Sequence, residues 1–322
     1  MNHLAVLTSG GDAPGMNASL RAIVRSANNK EIKVYGVYNG FDGLIDDLLA
    51  ELKPRQVGNI IQRGGSILQT SRSKRFLDKK YRNQARENLF KRDIGSVIVI
   101  GGEGSLKGAA CLGEEGKLNV LGLPATIDRD IPSVGPTIGF DTAINTALQA
   151  IDRIRDTAST SNTVHIIEVM GRACGWISLF AGIGGGAEAV ILPEFHTDIE
   201  KLAYQIKEQR SSGKQGCILI VSEGACNSSG GEGLVEDLNK VSNFDLRITK
   251  LGHIQRGGNP SAVDRVLASR LGAGAVEGFL SGHRQCVVAQ PKDKIKMIPF
   301  TDLSGTLNSE MADYHKLIFR LV

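Results

Sequence analysis

Ser96-Val-Ile-Val-Ile100, followed directly by Gly101-Gly-Glu-Gly-Ser105, is the stretch that decides the fold. Four of its first five residues are apolar and β-branched, which predicts a buried strand of a parallel sheet. The glycines allow a tight turn, and the Ala-rich stretch that follows, to about Leu112, predicts a helix. A strand, a glycine loop and a helix in this order are typical of nucleotide sites, because the first N–H groups of the helix can bind an anion. Glu103 in the loop is a candidate metal ligand, and Ser105 is a candidate N-cap of the helix.

The next predicted strand, Val120-Leu-Gly-Leu123, leads into Pro124-Ala-Thr-Ile-Asp-Arg-Asp-Ile-Pro132. Proline at both ends prevents this segment from continuing as a regular strand or helix. It places Thr126, Asp128 and Asp130 just past the carboxyl end of a strand, where ligands bind in open α/β sheets. Two carboxylates in this position can divide between proton transfer and metal binding. An Asp-rich turn that caps the following helix is the alternative interpretation.

The start of the chain repeats the pattern. His3 to Leu7 is a predicted strand, Thr8-Ser-Gly-Gly-Asp-Ala-Pro-Gly15 is a glycine loop, and Met16 to Asn28 is a predicted helix. The loop has neither the Lys-Ser/Thr of a P-loop nor the spacing of a dinucleotide fingerprint, so it indicates a phosphate site only weakly. Strands and helices alternate along the rest of the chain, and the pattern restarts near Val164. We therefore expect an α/β fold with two Rossmann-like domains, largely parallel sheets and an active-site cleft between the domains.

Composition narrows the function classes. The chain has 322 residues, more than one ordinary core accommodates, and a net charge of +4,. It has no long basic run, so nucleic acid is not an expected partner. The five cysteines form no C-x-x-C pair, so we expect free thiols and a reducing compartment,. Because no apolar stretch approaches the length of a membrane span, we expect no membrane contact and a cytoplasmic location.

Taken together, six motifs make the chain similar to a known family. They occur in the family's order over nearly the whole chain and are Leu7-Thr-Ser-Gly-Gly-Asp-Ala-Pro-Gly-Met-Asn17, Ile61-Gln-Arg-Gly-Gly65, Gly101-Gly-Glu-Gly-Ser105, Pro124-Ala-Thr-Ile-Asp128, Glu168-Val-Met-Gly-Arg172 and Leu251-Gly-His-Ile-Gln-Arg-Gly-Gly258. Each motif alone is weak, but the ordered set resembles bacterial ATP-dependent 6-phosphofructokinase. The resemblance implies transfer of the γ-phosphoryl group of ATP to the 1-hydroxyl of fructose 6-phosphate, with Mg²⁺ as the metal cofactor.

The resemblance also assigns roles to individual residues. Asp128 is the implied base, Thr126 and Asp130 support substrate and metal, and Arg172 and Arg72 stabilise the transferring phosphoryl group. The residues implied for ATP are Gly10, Arg72, Gly102, Gly104, Ser105 and Gly108, with Glu103 toward the metal. Those implied for fructose 6-phosphate are Thr126, Asp128, Met170, Gly171, Arg172, Glu223, Arg247, His253 and Arg256.

The family's organisation supplies further expectations. It implies a homotetramer with an effector site for ADP or phosphoenolpyruvate between subunits, matched here by Arg21, Arg25, Arg155, Glu188 and Lys214. It implies a larger ATP-binding domain of residues 1–138 and 251–301. The smaller domain, of residues 139–250 and 302–322, would bind fructose 6-phosphate.

Several positions depart from the family pattern. Three departures fall at positions implied in catalysis or substrate binding. Glu103 replaces Asp, Arg129 replaces Asn, and Thr163 replaces an Arg that reaches the 6-phosphate across a subunit boundary. Elsewhere, Phe41 and Leu77 replace residue types that contact ATP, and Pro54 and Ser212 replace basic residues of the effector site. These departures keep open a second hypothesis, a weak or inactive paralogue that regulates an active enzyme. A pyrophosphate-dependent enzyme is a third, which the small residues Gly104 and Ala125 disfavour because they leave room for a nucleoside.

Overall fold

The computed structural model describes residues 3–160, 163–213, 216–303 and 308–321. The chain divides into two compact units, and each is made from two separate stretches. Unit 1 comprises Met1–Thr142 and Arg256–Gly305, and unit 2 comprises Ala143–Gln255 and Thr306–Val322. The predicted binding of ATP by one domain and of the sugar phosphate by the other stays a prediction, as does the cleft between them.

Strands of the described residues form two sheets. They are β1 (His3–Ser9), β2 (Lys33–Val37), β3 (Leu49–Glu51), β4 (Ser96–Gly101), β5 (Asn119–Pro124), β6 (Val164–Val169), β7 (Ala189–Ile191), β8 (Cys217–Ser222), β9 (Leu246–Lys250), β10 (Cys286–Ala289) and β11 (Lys296–Pro299). Unit 1 has the order β11-β10-β5-β4-β1-β2-β3, and unit 2 has the order β7-β8-β6-β9. All pairs are parallel except the two edge pairs of the larger sheet, β2 with β3 and β10 with β11. The α/β fold with largely parallel sheets is confirmed.

Helices connect the strands. They are α1 (Met16–Asn28), α2 (Gly40–Ile45), α3 (Lys79–Phe90), α4 (Glu103–Gly116), α5 (Phe140–Ala158), α6 (Trp176–Gly184), α7 (Ile199–Ser211), α8 (Ala225–Ser228), α9 (Gly230–Val241), α10 (Ala262–Leu280) and α11 (Asn308–Leu321). Short 3₁₀ turns lie at Arg75–Leu77, Gly252–Arg256, Pro291–Asp293 and Phe300–Asp302. None of the helices in the described ranges is long and apolar enough to cross a membrane.

Strand β4, predicted from the sequence to be buried, lies at the centre of the larger sheet. Every residue of β4 is buried, and Val97 to Ile100 have no exposed surface. The strand pairs with β1 on one side and β5 on the other, and its side chains Val97 and Val99 pack in one core cluster with residues of the neighbouring helices α3 and α4,. By contrast, β9 is an edge strand of the smaller sheet, and its residues Arg247 to Lys250 are exposed.

The N-cap prediction for Ser105 is wrong. Helix α4 begins at Glu103, with Gly102 at the N-cap, so Ser105 is the third residue of the helix. Its hydroxyl instead donates a 3.0 Å hydrogen bond to Oγ of Ser9 at the end of β1. Gly102 can serve at the cap because the extended backbone there needs no side-chain acceptor to turn into the helix,.

Candidate active site

Three loops of unit 1 start side by side at the carboxyl edge of its sheet. In the register of the sheet Ser9 of β1 pairs with Gly101 of β4, and Gly101 pairs with Pro124 of β5. The glycine loop after β1, the glycine loop after β4 and the Thr126–Asp130 turn therefore leave the sheet from neighbouring positions. This is the edge at which ligands bind in open α/β sheets.

The two glycine loops contact each other closely. Gly10 has a φ of +84°, and a Cβ there would lie 3.0 Å from Oγ of Ser105. The Gly10 N–H donates to the carbonyl of Ser71 at 3.1 Å, which brings the segment carrying the exposed Arg72 beside the loop. At Gly104, by contrast, an added Cβ would meet no described atom within 4 Å. The two loops thus pack against each other at Gly10, whereas the position of Gly104 leaves open space beside them.

Gly108 lies where helix α4 meets an aromatic pair. The rings of Phe41 and Phe76 stack with centroids 4.0 Å apart, and both side chains are buried. A Cβ at Gly108 would lie 3.1 Å from the Phe41 ring. The structure therefore gives Gly108 a packing role, whereas Leu77 beside this pair is 81% exposed.

The turn after β5 holds Asp128 in a buried position. Only 2% of Asp128 is exposed, and its backbone N–H donates to Oγ1 of Thr126 at 3.1 Å. The Thr126 hydroxyl is 3.4 Å from Oδ1 of Asp130, and the Thr126 carbonyl accepts a 2.7 Å bond from the Thr137 hydroxyl. These bonds fix the backbone of the predicted catalytic turn from both sides.

A single cation connects this turn to the first glycine loop. Nη2 of Arg256 lies 3.9 Å from Oδ2 of Asp128, and Nη1 lies 3.4 Å from the carbonyl of Asp12. The Arg256 side chain is only 9% exposed. A Cβ at Gly11 would come within 2.7 Å of Nη1, so glycine at that position makes room for the guanidinium. The separation from Asp128 is longer than a hydrogen bond, so the interaction between the charges is mainly electrostatic.

Arg129 and Glu103, two of the departures from the family pattern, have local partners. The guanidinium carbon of Arg129 lies 5.4 Å from the centroid of the Phe140 ring, a cation–π distance,. Glu103 forms a 2.6 Å ion pair with Lys107 one turn later in α4, and both side chains are largely exposed. No group of three or more His, Cys, Asp or Glu residues that could hold a metal is found in the described ranges. An exposed carboxylate whose partner is an exposed lysine fits a Mg²⁺ ion that is bound mostly by nucleotide phosphates and water,.

In unit 2 the predicted sugar-site residues meet at the ends of β6 and β8. The backbone N–H groups of Gly171 and Arg172 donate to Oε1 of Glu223, at 3.2 and 2.7 Å. Arg172 has a φ of +54°, and its side chain is exposed. The Met170 N–H donates to Oε1 of Gln255 at 2.9 Å. Glu223 therefore holds the turn that presents Arg172.

Two further predicted phosphate ligands are exposed. Nε of Arg247 lies 3.3 Å from Oδ1 of Asp245, and both side chains are more than half exposed. His253 lies in the 3₁₀ turn Gly252–Arg256 and is also exposed. Thr163 lies just before β6, where its hydroxyl is 2.7 Å from Nε2 of His165.

Only part of the predicted effector set comes together. Nη1 of Arg155 lies 3.6 Å from Oε1 of Glu188, and Nη2 of Arg155 donates to the carbonyls of Gly185 and Gly186. The Glu188 carboxylate also accepts a 2.6 Å bond from the Ile218 N–H. Arg21 and Arg25 belong to α1 in unit 1, and Lys214 lies outside the described residues.

Sequence reasoning missed two buried side chains that position these loops. Asp264 accepts hydrogen bonds from the N–H groups of Gly139 and Thr142, and burial raises the pKa of its carboxyl. It ties the start of α5 to α10. Gln255, whose side chain holds Met170, is fully buried. Asp264 looks like an ordinary first-turn acid in sequence, but Gln255 lies in the glycine-flanked Leu251–Gly258 stretch, which was a usable signal.

The motifs, their order and their placement in the fold agree with one protein family. The family model described as Phosphofructokinase matches residues 3–279. The chain belongs to the phosphofructokinase family. Its similarity to curated members covers nearly the full length of both chains. It is 46% identical over 321 residues to the ATP-dependent 6-phosphofructokinase of Staphylococcus epidermidis, covering 98% of this chain and 99% of that one.

Other phosphofructokinases resemble the chain in sequence or in fold. The enzyme of the same name from Macrococcus caseolyticus is 47% identical over 303 residues, 94% of each chain. Among solved structures, phosphofructokinase from Saccharomyces cerevisiae superposes with a TM-score of 0.89 at 31% identity, covering all of this chain and 48% of that longer chain. A pyrophosphate-dependent phosphofructokinase from Marinobacter aquaeolei has a TM-score of 0.82 at 23% identity over 99% of this chain and 91% of that one. At that identity the likeness concerns the fold alone.

Proposed function

We infer that the protein is an ATP-dependent 6-phosphofructokinase, which transfers the γ-phosphoryl group of ATP to the 1-hydroxyl of fructose 6-phosphate. Near full-length identity of about 45% to curated enzymes of that name supports this. The structural observation that carries it is the buried Asp128 on a fixed turn, at the same sheet edge as two contacting glycine loops. A base and a phosphate-binding surface are the two elements that phosphoryl transfer to a hydroxyl requires.

In the reaction, the sugar 1-hydroxyl attacks the γ-phosphorus while its proton passes to the Asp128 carboxylate. A P–O bond to the sugar forms, the bond from the γ-phosphorus to the β,γ-bridging oxygen breaks, and ADP leaves. The Thr126 hydroxyl and the Thr137 bond fix the turn, so the carboxylate is held without reorganisation,. Arg256 keeps a positive charge 3.9 Å from the Asp128 carboxylate, which offsets part of the cost of burying that carboxylate,.

Negative charge on the transferring phosphoryl group has to be balanced by cations. We propose that Arg72, beside the first glycine loop, and Arg172, on the turn held by Glu223, stabilise the phosphoryl oxygens. Both side chains are exposed and long, so their guanidinium groups can extend to a bound phosphate,. Glu103 and the phosphates would hold Mg²⁺, which neutralises phosphate charge when bound. Asp130 accepts a hydrogen bond from the Thr126 hydroxyl and is proposed to support the substrate and the metal beside it.

The fructose 6-phosphate would be recognised by polar and backbone groups. Arg247 and His253 are the proposed ligands of the 6-phosphate, and the Met170–Arg172 turn, Glu223 and Arg256 are proposed to contact the sugar. Because Glu223 already accepts two backbone N–H bonds through Oε1, its Oε2 is the oxygen we assign to the sugar,. This division would let one carboxylate both shape the turn and bind substrate.

ATP, not pyrophosphate, is the proposed donor. A Cβ at Gly104 meets nothing within 4 Å among the described residues, so the loop leaves space where a nucleoside can extend. Ala125 is small and buried directly before Thr126. Neither position offers a charge that would select the smaller donor.

Assembly and regulation are proposed from the family resemblance. The homotetramer rests on that resemblance alone, because single exposed apolar side chains are ordinary on a protein surface. An effector phosphate, from ADP or phosphoenolpyruvate, would require Arg21 and Arg25 to join Arg155 from another subunit. A cytoplasmic location accords with the expected substrates.

Turnover by the purified protein tests the proposal. Fructose 1,6-bisphosphate should form from fructose 6-phosphate and Mg²⁺ with ATP, and formation with pyrophosphate alone would show that the donor is wrong. If neither donor supports turnover, the regulatory-paralogue hypothesis is favoured. It then predicts a large gain in activity from the combined changes Glu103→Asp, Arg129→Asn and Thr163→Arg, whereas an enzyme that tolerates those residues should gain little.

A further inference from the structure

Four polar side chains cluster at the start of β6 and β9 in unit 2. They are Thr163, His165, Asp245 and Arg247, called here the β6–β9 patch. His165 pairs with Arg247 in the parallel register, and the Val164 N–H donates to the Asp245 carbonyl at 2.9 Å. Because side chains alternate along a strand, residues two apart share one face. The 2.7 Å contact between Thr163 and His165 and the 3.3 Å contact between Asp245 and Arg247 agree with that placement.

The patch is partly accessible to solvent and contains one ion pair, Arg247 with Asp245. Arg247 is 65% exposed on an edge strand, while His165 is partly buried beside it. Burial, and then the charge of Arg247, lower the pKa of the His165 imidazole, and Asp245 opposes them. On its other side His165 pairs with Ile218 of β8, which is uncharged. Among the described residues, the charges that shift the pKa of the ring are those of Arg247 and Asp245, both contributed by the β9 segment.

We propose that His165 is a second ligand of the phosphate group that Arg247 binds, so that the β6–β9 patch recognises the 6-phosphate of the sugar through two neighbouring cations. The inference rests on the proposed function, which assigns Arg247 to that phosphate. A protonated imidazole has two N–H donors, so one can remain on the Thr163 hydroxyl while the other bonds a phosphate oxygen. The Thr163 contact orients the ring before the ligand arrives.

If His165 binds the phosphate, substrate affinity should depend on pH. A phosphate dianion beside the ring favours imidazolium, so binding through His165 takes up a proton and strengthens as the pH falls. The substrate phosphate itself gains a proton near about pH 6, which weakens binding at the same time. Comparison of wild type with a variant at position 165 cancels that second effect, because both bind the same substrate.

The test is the KM for fructose 6-phosphate across about pH 6 to 8, together with its Kd from calorimetry, for wild type and His165→Asn. We expect the ratio of variant to wild-type KM to rise to about tenfold at the acid end and to be under about twofold at the alkaline end. His165→Arg should restore tight binding and remove the pH dependence of the ratio. The exposed His283→Asn, on the turn after α10, is the matched control and should behave as wild type.

A KM ratio that stays near one at every pH, or that moves equally in His283→Asn, would overturn the role of His165. The two proposals fail separately. If wild type turns over normally and His165→Asn has the same KM as wild type at every pH, only this inference is contradicted. Absence of turnover in wild type with a His165-dependent Kd for fructose 6-phosphate contradicts the proposed activity and leaves the ligand role in place.

Discussion

Arg256 and Asp128 lie 3.9 Å apart inside unit 1, although they belong to the two separate stretches of sequence that form that unit. Both side chains are nearly buried, and the same guanidinium also reaches the Asp12 carbonyl at 3.4 Å. A single arginine thus links the proposed base to the first glycine loop. Its role is electrostatic as well as positional, because a buried carboxylate is costly to leave without a cation.

Replacing Arg256 by methionine should therefore damage both stability and rate. The variant roughly keeps the volume of the side chain but removes the positive charge that lies 3.9 Å from the buried Asp128 carboxylate,. We expect kcat to fall by about 10- to 100-fold and the unfolding temperature to drop, because a buried carboxylate then lacks a nearby positive charge. Arg284→Met, at an exposed turn, is the control. Wild-type kcat and unfolding temperature in Arg256→Met would contradict the electrostatic role.

Two glycines of the proposed site should respond oppositely to alanine. Gly171 has a φ of +142°, and an added Cβ would lie 2.3 Å from the Cys174 carbonyl oxygen, so Gly171→Ala should lose about 1–3 kcal/mol of stability,. Gly104 lies in α4, and an added Cβ there would meet open space. Gly104→Ala should therefore leave the free energy of unfolding unchanged or raise it by up to about 1 kcal/mol. Thermal unfolding measures both. A destabilised Gly104→Ala would show that the loop is more tightly packed than described.

The bidentate ion pair between Arg82 and Glu115 predicts a pH-dependent contribution to stability. Its two contacts are 2.7 and 2.9 Å, and the hydrogen bond from Arg82 holds the pKa of Glu115 below its usual 4.5, against the effect of burial. The contribution is therefore present above about pH 4.5 and is lost as the pH falls through the lowered pKa. Glu115→Gln should cost about 1 kcal/mol near neutrality and less in acid, as followed by urea unfolding. A cost that does not shrink in acid would contradict the charge-based origin.

The sequence identified most of the parallel core, because buried strands such as β4 are continuous apolar runs with glycine immediately after them. It did not reveal the antiparallel edge strands β3 and β11, which are three and four residues long and carry little apolar pattern. Helix α6 was also missed, since its sequence Trp176–Gly184 follows a glycine-rich turn and ends in glycine. Edge strands and short helices are determined by what they pack against, which a local pattern does not contain.

The candidate site shows the same division. The motifs placed Asp128 and the glycine loops correctly at strand ends, where local sequence decides the turn. The Arg256–Asp128 pair and the bonds from Asp264 to Gly139 and Thr142 could not be predicted, because they join segments far apart in the chain. The local partners of Arg129 and Glu103 likewise depend on side-chain direction.

The most direct test of the mechanism is the kcat of Asp128→Ser, measured as fructose 1,6-bisphosphate formation with saturating ATP and fructose 6-phosphate. If Asp128 is the base, kcat should fall by about 10²- to 10⁴-fold, while calorimetric binding of ATP and the far-UV spectrum stay close to those of wild type. Near wild-type turnover in this variant would contradict the assignment of Asp128 and require another group to accept the proton.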